Sequence, residues 1–242
     1  MRDGSGKWLP SYWQELLSST IQAIYSVSDS QSVWNFGGGT SLAIDLEHRI
    51  SYDIDAFVDS AALIKKLVPN ANPVTKAICW NDLTQRADFD WPGSYLKLNI
   101  KGKGEIDFLS ASEMVEDPTS PFDFNGTIIR RERPAEIIAK KLRYRSSRFK
   151  PRDAFDLAAV FLKSPEELQI AAECPFLPPE VYKRAALRIA LKHEAFQKEI
   201  IEEVNPTAFG ASFIDRAAEI ALEAISFMEE KSSLENIQSP EP

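Results

Sequence analysis

Cysteine is scarce in this chain of 242 residues: Cys79 and Cys174 are the only two, isolated and without the close spacing of metal ligands. That excludes a disulfide framework and a cysteine-built zinc centre, and it suits a reducing cytoplasm, where the protein is expected to reside. Long apolar runs are also missing. No stretch approaches the roughly 18 consecutive apolar residues of a membrane-spanning helix. Residues 1–8 lack the apolar segment of a secretory signal. An excess of positive charge is lacking too: the formal net charge of −8 argues against a surface that gathers nucleic acid non-specifically. No internal repeat is present.

What is there is an ordinary globular composition, 44% hydrophobic and 26% charged, in a chain long enough to bury one large core or two smaller ones. The charge is unevenly distributed. Arg130, Arg131, Arg133, Lys140, Lys141, Arg143, Arg145, Arg148, Lys150 and Arg152 face only Glu132 and Glu136 in the same window, a local charge of +8 against −8 overall. Such a block suits a polyanion, either a triphosphate or an RNA; the plainer alternative is a solvated helix face.

The patterning predicts an α/β first half and a helical second half. Apolar residues from Trp13 to Tyr25 recur at helical spacing, and residues 33–36 read as a short strand running into Gly37-Gly38-Gly39. Thr40 is the expected N-cap of a following helix, residues 54–58 are a second strand, and Ser60 caps a helix to about residue 68. Residues 74–80 read as a strand. Residues 95–100 and 105–109 form a hairpin across Lys101-Gly102-Lys103-Gly104, residues 110–125 a linking loop, and residues 126–130 a last strand. Asp88-Phe89-Asp90, followed by Trp91-Pro92-Gly93, reads as a loop. Helices are expected at 134–148, 152–163, 178–193 and about 213–230, with a polar tail from residue 232. The expected domains are 10–130 and 131–231, with 232–242 as the tail.

The chemistry concentrates at Asp53-Ile54-Asp55. In a strand, residues i and i+2 share a face about 7 Å apart. Two carboxylates so placed can converge on one hard cation or on a pair about 3.5–4 Å apart. Gly38-Gly39-Thr40 precedes them, and glycine lets backbone N–H groups approach phosphate oxygens. Apolar Ile54 and Phe57 favour a strand over a surface turn with two solvated aspartates. Asp107, between Ile106 and Phe108, is a third strand carboxylate, costly to bury without a cation or else facing solvent on an edge strand.

These residues resemble the DNA polymerase β-like nucleotidyltransferase superfamily, and more closely the AbiEii/AbiGii toxin family of type IV toxin–antitoxin systems. The resemblance rests on Gly38-Gly39-Thr40-Ser41-Leu42-Ala43, on His48-Arg49-Ile50-Ser51-Tyr52-Asp53-Ile54-Asp55, and on a second block: Ala139-Lys140-Lys141-Leu142, Arg148 and Pro151-Arg152-Asp153-Ala154-Phe155-Asp156-Leu157. It covers about residues 33–160. It implies an α+β fold, a nucleotidyltransferase domain with a small mixed sheet followed by an all-helical domain. It also implies transfer of a nucleoside monophosphate from an NTP to an acceptor with Mg²⁺ or Mn²⁺, and an antitoxin partner.

On this resemblance Asp53, Asp55 and Asp107 are the metal ligands and, with Lys141, the catalytic set. Gly38, Gly39, Thr40, Lys141, Arg145, Arg148 and Asp153 bind the nucleotide, the cations as a stripe on one helix face. Asp153 either orients Lys141 or supports the nucleotide; a supporting role for Asp156 is open. The acceptor is an RNA such as tRNA, a protein, or, as in antibiotic-modifying relatives, a small molecule; a catalytically silent nucleotide- or RNA-binding module is the non-enzymatic alternative. His48 and Arg49 are expected to pin the turn before the aspartates. Glu47 stands where the family usually has a small residue, often glycine, and is expected to alter a helix end.

Overall fold

The computed structural model describes residues 7–238. Its described residues divide into two compact units. The first comprises residues 7–41, Ser51–Ser112 and Thr119–Glu132; the second comprises Leu42–Ile50, Glu113–Pro118 and residues 133–238. Two short segments of the N-terminal half, Leu42–Ile50 and Glu113–Pro118, belong to the second unit.

The first unit is built on a mixed sheet. Its strands are β1 (Trp34–Gly37), β2 (Ile54–Val58), β5 (Phe89–Asp90), β6 (Tyr95–Ile100), β7 (Gly104–Ser110), β8 (Thr119–Phe124) and β9 (Thr127–Glu132), in the order β5-β6-β7-β2-β1-β9-β8, while β3 (Trp80–Asn81) and β4 (Arg86–Ala87) form a separate small hairpin. β2 runs antiparallel to β1 and parallel to β7. Strand alternation decides the faces. Ile54, Ala56, Val58, Leu96, Leu98, Ile106 and Phe108 are buried, and the residues between them are only half-buried. Helices α1 (Trp13–Tyr25), α3 (Ala61–Leu67) and α4 (Pro73–Ile78) lie against these strands.

Three local expectations change here. Residues 74–80 are mostly the helix α4, because Asn72 caps it by accepting from Val74 N and Thr75 N, and Pro73 sits in its first turn, where no N–H is missed. The expected loop at 110–125 contains β8, which pairs with β9 through the Asn125-Gly126 turn; both residues have positive φ, as a tight hairpin requires. Phe89-Asp90, expected in a loop, is a two-residue edge strand against β6.

The second unit is helical: α5 (Pro134–Arg145), α6 (Pro151–Lys163), α7 (Pro165–Ala172), α8 (Pro179–Ala190), α9 (His193–Glu203), α10 (Ala208–Ala211) and α11 (Ala217–Gln238). The sequence pattern missed α7, α9 and α10. Helix α6 is the centre, with Ala154 to Val160 all buried. Residues 232–238, expected as tail, continue α11; 239–242 lie outside the described residues. Helix α2 (Gly38–Leu46) begins in one unit and ends in the other.

At the end of α2, Glu47 adopts φ +50° and donates its N–H to Ala43 O at 2.9 Å. This left-handed closure favours glycine, which carries no Cβ penalty. The departure at Glu47 is therefore a helix-end effect, as expected. Glu47→Gly should raise stability by about 0.5–1 kcal/mol in urea denaturation; a loss of stability would contradict this reading.

Candidate active site

In the first unit the acidic residues converge by register. β2 and β7 pair with Asp55 opposite Asp107, and β6 and β7 pair with Lys97 opposite Asp107. All three side chains belong to the half-buried alternation of their strands. Lys97 Nζ lies 3.2 Å from Asp107 Oδ1 and 3.3 Å from Oδ2, where the hydrogen bond forms, and it also pairs with Glu105. Asp107 Oδ1 is buried and accepts no hydrogen bond of good geometry. Burial, and then the charge of Asp55 beside it, push the Asp107 carboxyl up to about 6 despite Lys97.

The glycine turn fits against this pair. Gly38 has φ +68°, and a Cβ there would overlap the Asp55 carboxylate. Gly37 pairs with Asp55 across β1 and β2. Thr40 is not an N-cap, since α2 already begins at Gly38. Its buried hydroxyl bonds instead to the Asp53 carbonyl and, at 2.8 Å, to Ser51 Oγ, which fixes the backbone entering β2. Asp53 precedes the strand, and its Oδ1 accepts from Glu105 N at 3.3 Å. That approach needs Gly104, where a Cβ would meet the Tyr52 carbonyl. The structure therefore brings Gly38, Asp55 and Asp107 together and turns one Asp53 oxygen toward the start of β7.

The second unit holds the other expected residues in a buried ion network. Asp156, fully buried on α6, accepts from His48 Nε2 at 2.7 Å, from Arg49 Nε at 2.6 Å and Nη2 at 3.1 Å, and pairs with Lys141 Nζ at 3.0 Å. Asp153 pairs with Lys141 Nζ at 2.5 Å and Arg145 Nη1 at 3.2 Å, and accepts from Lys150 N at the start of α6. Lys141 is thus buried between two aspartates. Arg145 is 42% exposed, and Arg148 is exposed in a 3₁₀ turn beyond α5. The expected single basic stripe is divided into a buried lysine and outer arginines. His48 and Arg49 do pin their segment: Ile50 N donates to Asn205 O, and Arg49 bridges to Pro206.

Charge and burial are resolved differently in this network. Burial disfavours the Asp156 carboxylate, but Arg49 and Lys141 outweigh it and hold its carboxyl well below the usual range. Lys141 and Arg145 likewise hold Asp153 low against burial. For His48 burial wins, so its pKa falls below 6.5. A neutral ring donating from Nε2 leaves Nδ1 as a bare acceptor, and Nδ1 is indeed buried without a partner.

Sequence reasoning missed Lys97 and Glu105. Both were within reach of the hairpin prediction, since a strand pair closed by residues 101–104 sets Lys97 across from Asp107 and places Glu105 at i−2 on the same face. Asp156 had no sequence signal beyond its place in the motif.

Among the described residues, no three His, Cys, Asp or Glu side chains form a group that could hold a metal ion. A Mg²⁺ ion asks for less. It is commonly held by one or two carboxylates, with waters and substrate phosphates completing the octahedron. Asp55 and Asp107, hard oxygen donors abreast with one buried carboxylate oxygen lacking a hydrogen bond, fit that demand.

A family model described as "Nucleotidyl transferase AbiEii toxin, Type IV TA system" matches residues 21–215. The chain belongs to this family. It is an AbiEii-type toxin nucleotidyltransferase with an α+β fold. Two solved structures resemble it at low identity. JHP933 from Helicobacter pylori has 16% identity and TM-score 0.48, covering 96% of this chain and 100% of that one. MenT4, a nucleotidyltransferase toxin from Mycobacterium tuberculosis, has 12% identity and TM-score 0.48, covering 91% and 88%. No curated protein sequence matches the chain. No helix among the described residues of this AbiEii-family protein is long and apolar enough to cross a membrane.

Two outcomes follow for the buried network. Asp156→Asn leaves Arg49 and Lys141 buried around a neutral amide and should cost about 3–5 kcal/mol by urea denaturation; a loss under about 1 kcal/mol would contradict the network's role. The pH dependence has a definite sign. Each lowered pKa means that the unfolded chain takes up protons first, so the stability these groups contribute is lost as pH falls. The His48 contribution begins to fall below about pH 6.5, and those of Asp153 and Asp156 below about pH 4. His48→Gln should remove the upper part of this decline, and an unaltered slope between pH 6.5 and 5 would refute the neutral-histidine assignment.

Proposed function

We propose that this toxin-family enzyme is a Mg²⁺- or Mn²⁺-dependent transferase that moves a nucleoside monophosphate from an NTP onto an RNA, under the control of a cognate antitoxin. The observation that carries the metal dependence is the placement of Asp55 abreast of Asp107, with the glycine turn against it. Asp55 and Asp107 would hold the ion, with Asp53, whose Oδ1 accepts from Glu105 N, fixing the entry to the strand that carries Asp55. When bound, the ion would neutralise charge on the triphosphate and acidify the attacking hydroxyl. Asp107, with its pKa raised to about 6, is suited to accept a proton when no cation is present.

The amides of Gly38, Gly39 and Thr40 form the first turn of α2, where N–H groups have no intrahelical acceptor and can meet phosphate oxygens. Of the cations expected to bind the nucleotide, Arg145 and Arg148 remain exposed enough to meet a polyanion, whereas Lys141 is buried. Lys141 acts with Asp153 in setting Arg145, because Asp153 Oδ1 lies within reach of both cations. An RNA acceptor is supported by the basic block, of which Arg143, Arg148 and Lys150 are exposed. The family's type IV toxin–antitoxin character supports the antitoxin.

The test is transfer of label from each α-³²P NTP in the presence of divalent metal and total cellular RNA. Asp55→Ala and Gly38→Ala should each reduce transfer about 10²-fold or more while the protein stays folded. Arg145→Ala should raise KM for NTP several-fold with little loss of stability, whereas Lys141→Ala should lower stability as well. Label on protein alone would overturn the RNA acceptor. No transfer to any acceptor, or transfer independent of Asp55, would overturn the catalytic reading.

A further inference from the structure

A cleft of about 630 Å³ in the first unit lies outside the residues assigned so far, between the α4 region and the β3–β4 hairpin. Its volume suits a compact organic ligand. The hairpin holding one wall is fixed to the sheet: Asp88 N donates to Cys79 O at 2.8 Å, Asn99 N to Asp88 O at 2.9 Å, and Asn99 Nδ2 to Asp88 Oδ1 at 3.0 Å. Asp88 is therefore part of the framework. What the wall presents is an aromatic face and two cations. Trp80 lines the cleft and is 40% exposed, although its indole would ordinarily be covered. Lys76, one helical turn earlier, stands 5.8 Å from the Trp80 ring centroid. Arg86 is exposed and lines the same cleft, and its side chain makes no ion pair or hydrogen bond among the described residues. Asp90, exposed on the edge strand, supplies an acceptor beside them.

An exposed indole with basic groups about it, Lys76 over the ring and Arg86 on the same cleft wall, is an arrangement that receives an unstacked base and the phosphate next to it. A free triphosphate would want more cations than two and no carboxylate. A protein partner of ordinary kind would not require a guanidinium without a side-chain partner beside an exposed indole. We infer that this cleft binds one nucleotide of single-stranded RNA, its base stacked on Trp80, its phosphate on Arg86 and Lys76, and a base amine on Asp90. The cleft is a docking site for the acceptor strand, separate from the residues that handle the NTP. This inference rests on the RNA-acceptor reading above.

The test uses the full chain carrying Asp55→Ala, so that binding is measured without transfer. Fluorescence anisotropy with a fluorescein-labelled oligo(C) of about 12 nucleotides is compared with a duplex of equal length. Trp80→Ala should weaken single-strand binding about tenfold, with Trp80→Phe restoring most of it. Arg86→Gln and Lys76→Gln should each weaken binding and flatten its salt dependence. Far-ultraviolet circular dichroism confirms folding of each variant. Unchanged affinity in folded Trp80→Ala, or equal affinity for the duplex, would overturn the inference. So would loss of binding to a co-expressed antitoxin in Trp80→Ala with RNA binding intact, since the cleft would then serve a protein. Failure of the catalytic reading shows separately, as Asp55-independent transfer.

Discussion

Two carboxylates set side by side on adjacent parallel strands are a constraint that the first unit must answer. The β2–β7 register places Asp55 against Asp107, and both lie on the half-buried face of the sheet. Every nearby device addresses that charge. Lys97 is set opposite Asp107 by the β6–β7 hairpin. Gly38 leaves room for the Asp55 carboxylate where any side chain would collide. Even so, Asp107 retains a carboxyl raised to about 6 and an oxygen without a hydrogen bond. A site with residual anionic tension is one that gains from a cation.

The second unit answers its buried charge from within. Asp156 is surrounded by Arg49, Lys141 and a neutral His48, and Asp153 by Lys141 and Arg145. Here the charges are matched by side chains of the chain itself, and the carboxyl pKa values fall instead of rising. The contrast separates two uses of the same residue type. A carboxylate pushed up by burial and then by a like-charged neighbour suits ligand binding and chemistry, and one held down by cations locks segments together. Segment 42–50 is locked to α6 in this way.

The glycine turn, the Asp53-Ile54-Asp55 strand entry and the 95–109 hairpin were legible because each rests on local chemistry: turn residues, alternation and chain spacing. Residues 74–80 were misread because their apolar pattern is compatible with a strand, while Asn72-Pro73 carries the helix signal at one end only. β8 was overlooked because Pro118 and Pro121 dominate a segment that pairs only at the sheet edge. The burial of Lys141 was not legible at all. Sequence gives the helical position of a lysine, but its partners Asp153 and Asp156 lie on another helix, and only packing selects them. The cleft at Trp80 was hidden for the same reason, since it needs α4 and the small hairpin to be in place.

The central claim is that Asp55 and Asp107 form a cation site before any nucleotide arrives. Titrating the full chain with Mn²⁺ and following the free ion by electron paramagnetic resonance tests it directly. The account predicts saturable uptake by the wild-type chain that is lost in folded Asp55→Asn and in folded Asp107→Asn. Equal uptake by the Asp55→Asn/Asp107→Asn double variant would contradict it.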